Sequence, residues 1–192
     1  NNTGTKGVQG MQNLEVFLHS DLAPKAYAGN WTPIANGDGQ CYNGNIHGEG
    51  YHIDNLPSSF IGHLCGHVYN LGVSGTFTSA GLADSGDGYV ENCWVKTTGT
   101  PDAGVKAVFG NPTASNWTQV NNCYYVAPEG SDYASGPAIR KSERAFYNGE
   151  VAYDLNAFYL KERYNRQAAS DKIETYQYIA RSEERRVGKE CR

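Results

Sequence analysis

The feature that most constrains the fold is a recurring tetrad: an aliphatic residue, a variable one, Asn, then Leu or Cys. Full copies stand at Val68-Tyr69-Asn70-Leu71, Val90-Glu91-Asn92-Cys93 and Val120-Asn121-Asn122-Cys123, with a partial earlier copy at Ile53-Asp54-Asn55-Leu56. The second full copy follows the first after 22 residues and the third follows after 30 more. A period in this range predicts stacked units, each a turn of chain that cannot bury its apolar face without a neighbour. Asn tolerates the left-handed backbone of a corner, and its amide can bond to the amide above and below. Asn55, Asn70, Asn92 and Asn122 are therefore expected to form a structural ladder at the roughly 4.8 Å strand spacing. The expected fold class is all-β, a right-handed parallel β-helix (solenoid) with a short C-terminal helical segment. The alternative left open by four short copies is an antiparallel sandwich whose turns happen to contain Asn.

Composition points the same way, with 23 Gly, 14 Tyr and 12% aromatic residues against 39% hydrophobic ones. Such a chain favours short strands and tight turns. Of the 23 glycines, 21 fall between Gly4 and Gly136, whereas Pro137 to Ala180 holds only Gly149. The expected organisation is thus Gly-rich β repeats over 1–136 and a helical segment over 137–180, either a cap or the start of another module. Within that segment Ala145, Ala152, Leu155 and Tyr159 recur at helical spacing, Ser142 is the candidate N-cap, and Gly149 is the expected break. The start at Asn1 reads as an internal cut in a longer chain. Residues 181–192, RSEERRVGKECR, resemble sequencing-adapter read-through and are set aside with Cys191.

The formal net charge of -4 offers nothing obvious to phosphate backbones or anionic lipid. Neither nucleic acid nor membrane insertion is expected, since no stretch approaches the roughly 18 apolar residues of a spanning helix.

Several runs resemble the GLUG-motif surface proteins of gut-type bacteria. They are Leu14 to Leu22, Trp31-Thr32-Pro33-Ile34, and above all Tyr42-Asn43-Gly44-Asn45-Ile46-His47-Gly48-Glu49-Gly50-Tyr51-His52-Ile53-Asp54-Asn55-Leu56. Phe60 to Leu64, Asn70 to Val73 and Ala145 to Asn156 continue the resemblance, while the Gly-Leu-polar-Gly signature appears only in degraded form near Gly81-Leu82-Ala83. What the resemblance implies is a bacterial secreted or cell-surface β-helix repeat protein, adhesin-like, without a common catalytic site.

No catalytic residue is assigned. Asp84, Asp87 and Glu91 are the best carboxylate cluster for glycoside hydrolysis, which needs two carboxylates about 5 to 9.5 Å apart. A lyase would want a base beside them, yet Gly81 to Val95 holds no Lys or Arg. Asp84 to Gly88 could supply oxygens to Ca²⁺ but does not complete an EF-hand loop, and a solvated turn is the simpler reading; no cofactor is expected. His63, Cys65 and His67 share soft-ligand chemistry but lack a fourth ligand, so no metal site is assigned, and His47 and His52 are read as turn and surface residues. Cys93 and Cys123 read as stacked buried thiols, a disulfide between them being the alternative. Strand alternation sends Trp94 and Tyr124 outward, where they either contact a ligand or pack under the C-terminal helix. The expected function is a non-catalytic structural or carbohydrate-binding module contacting a glycan or surface protein partner through its lateral face. The alternative is a fragment of a β-helix polysaccharide-degrading enzyme, a lyase or glycoside hydrolase.

Overall fold

The structure is a computed structural model that describes residues 14–23, 31–112 and 119–167. The adapter-like tail and the end of the expected helical segment lie outside the described residues.

The strands are short, as a chain punctuated by Gly and Asn requires. In order they are β1 (Glu15–Phe17), β2 (Asn45–His47), β3 (His52–Leu56), β4 (Ile61–Leu64), β5 (His67–Tyr69), β6 (Gly72–Gly75) and β7 (Ala83–Gly86), followed by β8 (Tyr89–Glu91), β9 (Trp94–Thr97), β10 (Phe109–Pro112), β11 (Val120–Asn121), β12 (Tyr124–Val126) and β13 (Ile139–Arg140). They form three sheets, β1-β2-β5-β8-β11, β10-β7-β4 and β13-β12-β9-β6-β3. Every pairing between named strands is parallel. Consecutive strands from β2 to β12 go to different sheets, and each strand from β2 to β9 pairs with the strand three places further along the chain. The parallel pairing removes the antiparallel sandwich.

The inward positions follow from alternation. Ile46, Val68, Val90 and Val120 occupy one register column of the first sheet, and Ile53, Val73 and Val95 one of the third. Together with Leu56, Ile61, Leu64, Leu71, Phe77, Leu82 and Phe109 they make the main core. Cys93 and Cys123 are buried free thiols within it, each donating to a backbone carbonyl two residues back, Glu91 and Asn121. Burial pushes the Cys93 thiol well up from its usual range, and the neighbouring Cys123 adds to the effect. A chain carrying Cys191→Ser is therefore expected to show no fast reaction with an aromatic disulfide reagent at pH 8 while native. Two thiols should appear on unfolding, and prompt labelling of the native chain would contradict the packing.

The corner between the first and third sheets explains the tetrad. Asn70, Asn92 and Asn122 have φ of 51°, 55° and 46°. Asn92 Nδ2 donates to Asn70 Oδ1 at 2.7 Å, and Asn122 Nδ2 to Asn92 Oδ1 at 2.7 Å. Asn55, expected in the same ladder, stands inside β3 at a break in register, also at positive φ. Its corner is instead a longer link, 48–51, in which Glu49 and Gly50 take the positive φ values. The Ile53 copy of the tetrad is thus a coincidence of residues, out of register with the others.

Two helices follow among the described residues, α1 (Glu143–Tyr147) and α2 (Glu150–Gln167). Ser142 caps α1, accepting from the Ala145 amide, and Gly149 at φ 84° separates the two. Ala145, Phe146, Val151, Ala152 and Leu155 pack with Trp94, Tyr124 and Val126 as a second core on the outer face of the third sheet. Lys141 fastens this layer, reaching Glu150 at 2.6 Å and Asp154 at 3.1 Å. The expected class, an all-β right-handed β-helix with a short helical segment, is corrected by this arrangement. The strands are shared among three small parallel sheets, and an 18-residue helix with its own apolar core covers one of them, which is an α/β-like layout. The physical reason is the outward row of large apolar side chains on β9 and β12, which needs a helical layer to leave water.

Candidate ligand-binding face and cysteine cavity

The first sheet carries its polar chemistry outward. Since Ile46, Val68 and Val90 point in, the residues flanking them point out, and the register aligns them in two columns. One reads Glu15, Asn45, His67, Tyr89; the other reads Phe17, His47, Tyr69, Glu91, Asn121. Phe17 stacks on His47 at 4.5 Å between ring centroids, and His47 on Tyr69 at 5.2 Å. His67 meets Tyr69 and Tyr89 edge to face at 5.5 and 4.8 Å. Phe17 and Tyr89 remain 50% and 45% exposed.

Hydrogen bonds run across the columns. Asn45 Nδ2 donates to Glu15 Oε1 at 2.6 Å, and His47 Nε2 lies 2.5 Å from Glu15 Oε2. These two contacts hold the Glu15 carboxyl below the usual carboxylate range. His67 Nδ1 shares a hydrogen bond with the Tyr69 hydroxyl, and burial lowers the His67 imidazole against the opposing pull of Glu91 and Glu15. Asn121 Nδ2 donates to Glu91 Oε2 at 3.3 Å. Because the stacked rings spend much of their faces on one another, the surface they offer is ring edges, an acceptor carboxylate and amide groups. Such a face suits a hydroxyl-rich ligand better than an apolar one.

The expected site residues are distributed differently. Trp94 and Tyr124 do lie on an outer sheet face, but each is only 5% exposed beneath the helices, so the expected contact with ligand gives way to helix packing. Gly72 makes room for the Trp94 indole, and the ring reaches His52 at 5.7 Å. His52, expected at the surface, is buried; its Nε2 bonds Asp54 at 3.0 Å, while Nδ1 lies 3.0 Å from Asp21 without the alignment of a hydrogen bond. His47, expected in a turn, sits in β2.

The three carboxylates considered for catalysis or Ca²⁺ do not share one loop. Asp84 lies within β7 and accepts from the Ser59 hydroxyl, Asp87 lies in the corner after β7, and Glu91 ends β8 on a different sheet. His63 and His67 are likewise separated, by the bend at Cys65 and Gly66, onto different sheets.

What the sequence disclosed only in part, through His63 and Cys65, is a second grouping beside β4 and β7. A cavity of about 560 Å³ is lined by the Ala35 to Cys41 segment together with His63, Cys65, Asp84 and Ser85. Cys41 and Cys65 form a disulfide across it, with Cα atoms 5.8 Å apart. An isolated parallel bridge between Tyr42 and Leu64 brings the two cysteines together, a long-range contact for which their 24-residue separation is the only clue. Comparison with family models, curated proteins and solved structures finds no match to this chain.

Proposed function

We propose that the chain is a non-catalytic binding module of a bacterial secreted or cell-surface protein of the GLUG-motif type, and that it contacts a neutral glycan through the outer face of β1-β2-β5-β8-β11. The observation that carries this reading is the pair of outward columns in which Glu15, Asn45, His47, His67 and Tyr69 are linked by hydrogen bonds and ring contacts. Strands about 4.8 Å apart and outward residues about 6.6 Å apart along each strand give a grid of donors and acceptors. A sugar chain lying across the strands meets a new polar or aromatic group at each step. The carboxylates of Glu15 and Glu91, with Glu15 held ionised, disfavour an anionic polysaccharide, which is why a neutral one is named. The Cys41–Cys65 disulfide supports the extracellular part of the reading, because such crosslinks persist in oxidising compartments.

The test is a screen of neutral oligosaccharides on a glycan array, followed by titration calorimetry on the strongest hit. Tyr69→Ala and His47→Ala are each expected to weaken binding at least tenfold, about 1.4 kcal/mol. Tyr153→Ala, on the exposed side of α2, leaves it unchanged. The absence of any neutral glycan ligand, or binding indifferent to Tyr69, defeats the reading.

A further inference from the structure

We infer that Cys41, His63, Cys65 and Asp87 form a redox-gated zinc site, in which the Cys41–Cys65 disulfide and a bound Zn²⁺ are mutually exclusive states of the same four side chains. One ligand atom from each residue lies within 4.8 Å of all the others. A disulfide requires only the two sulfurs. It does not account for an imidazole and a carboxylate, delivered by different passes of the chain, closing on the same point.

The placement has a plain structural origin. Leu64 is fully buried, so His63 and Cys65 on either side of it turn to the outer surface of β4. The Tyr42–Leu64 bridge sets Cys41 beside them, and Asp87 follows Gly86, which pairs with Leu64 from the other side. His63 Nδ1 lies 3.1 Å from the Ser85 hydroxyl, an outer contact of the kind that orients a ligating imidazole. The cavity beside the cluster gives an ion a path in.

The donor set selects the metal. Two thiolates, an imidazole and a carboxylate suit zinc, whereas Ca²⁺ and Mg²⁺ prefer oxygen ligands throughout. Tetrahedral zinc with Zn–S near 2.3 Å separates two sulfurs by roughly 3.7 Å. Once the S–S bond is broken, side-chain rotation at a Cα separation of 5.8 Å supplies that spacing. The step balances with a thiol reductant. Two R–SH give up two electrons and two protons, forming R–S–S–R, while Cys41 and Cys65 become thiols; zinc binding then releases both thiol protons. Affinity in the reduced state therefore rises with pH until the ligands are deprotonated.

The test uses the full chain with Cys191→Ser, reduced with a phosphine and titrated with Co²⁺, then Zn²⁺. One Co²⁺ per reduced chain is expected, with the intense visible bands of tetrahedral thiolate coordination, displaced by one Zn²⁺. The oxidised chain shows none of these bands. His63→Ala and Asp87→Asn each weaken binding at least about tenfold, and the double variant Cys41→Ser with Cys65→Ser, which retains Cys93 and Cys123, abolishes the bands. Circular dichroism follows the fold throughout. The inference is overturned if the reduced chain gives no thiolate bands, if it unfolds on reduction, if the bands survive in the double serine variant, or if neither His63→Ala nor Asp87→Asn changes affinity.

Discussion

Replacing Asn92 by Ala is expected to destabilise the chain by about 3–4 kcal/mol. Asn92 is the middle rung of the ladder, giving one hydrogen bond to Asn70 and receiving one from Asn122, both at 2.7 Å. Ala removes both bonds and leaves the half-buried Asn70 acceptor and Asn122 donor without that partner, each costing about 1 kcal/mol. It also places a residue with no amide at φ 55°, where a left-handed backbone costs about 1–2 kcal/mol. For a chain of this size the midpoint of thermal unfolding should fall by roughly 10 °C. Asn92→Gly separates the two causes, because it accepts the dihedral and still lacks the amide, so it should recover only about 1 kcal/mol of the loss. A melting temperature unchanged in Asn92→Ala would mean that the ladder contributes nothing to stability.

That ladder is also where the sequence was most legible. A corner between the first and third sheets that turns the backbone left-handed admits few residue types, and Asn70, Asn92 and Asn122 recur because the same dihedral and the same amide pairing recur. Asn55 misled for a related reason. It too has positive φ, at 60°, but inside a strand with a register shift, and a tetrad of residue types does not distinguish a corner from a bulge. The outward columns of the first sheet were available in principle: Asn45, His67 and Tyr89, like His47, Tyr69 and Glu91, are spaced by the same 22 residues as the first two full tetrads. Their chemistry differs from rung to rung, so a search for repeated residue types passes over them.

Other features depend on contacts that no local pattern carries. Alternation correctly sent Trp94 and Tyr124 out of the main core. Whether an outward aromatic meets ligand or another element is decided by α1 and α2, some 20 to 60 residues further on. The helical spacing of Ala145, Ala152 and Leu155 showed that those helices have an apolar stripe, without showing which sheet it would cover. The Cys41–Cys65 pair and its neighbours His63 and Asp87 are separated in the same way, and only the parallel stacking of three chain passes brings them to one point.

The same stacking makes Gly86→Ala a more severe substitution than its size suggests, with an expected loss of at least about 4 kcal/mol, the range reached only by exceptional single changes. Two independent penalties meet there. Gly86 has φ 130°, a conformation L side chains rarely adopt and which costs about 1–3 kcal/mol when forced. An added Cβ would also overlap the carbonyl oxygen of Leu64 in the neighbouring strand. That oxygen is backbone in a paired strand and cannot step aside as a flexible side-chain end would, so relief requires β4 and β7 to separate where Leu64 pairs with Gly86. Gly104→Ala is the control for a positive φ without the overlap, since Gly104 has φ 82° and nothing within 4 Å of an added Cβ. It should cost only about 1–2 kcal/mol, the conformational part alone. Urea unfolding of the two variants measures the difference. A Gly86→Ala chain no less stable than Gly104→Ala would show that β4 and β7 do not approach each other as closely as this packing requires.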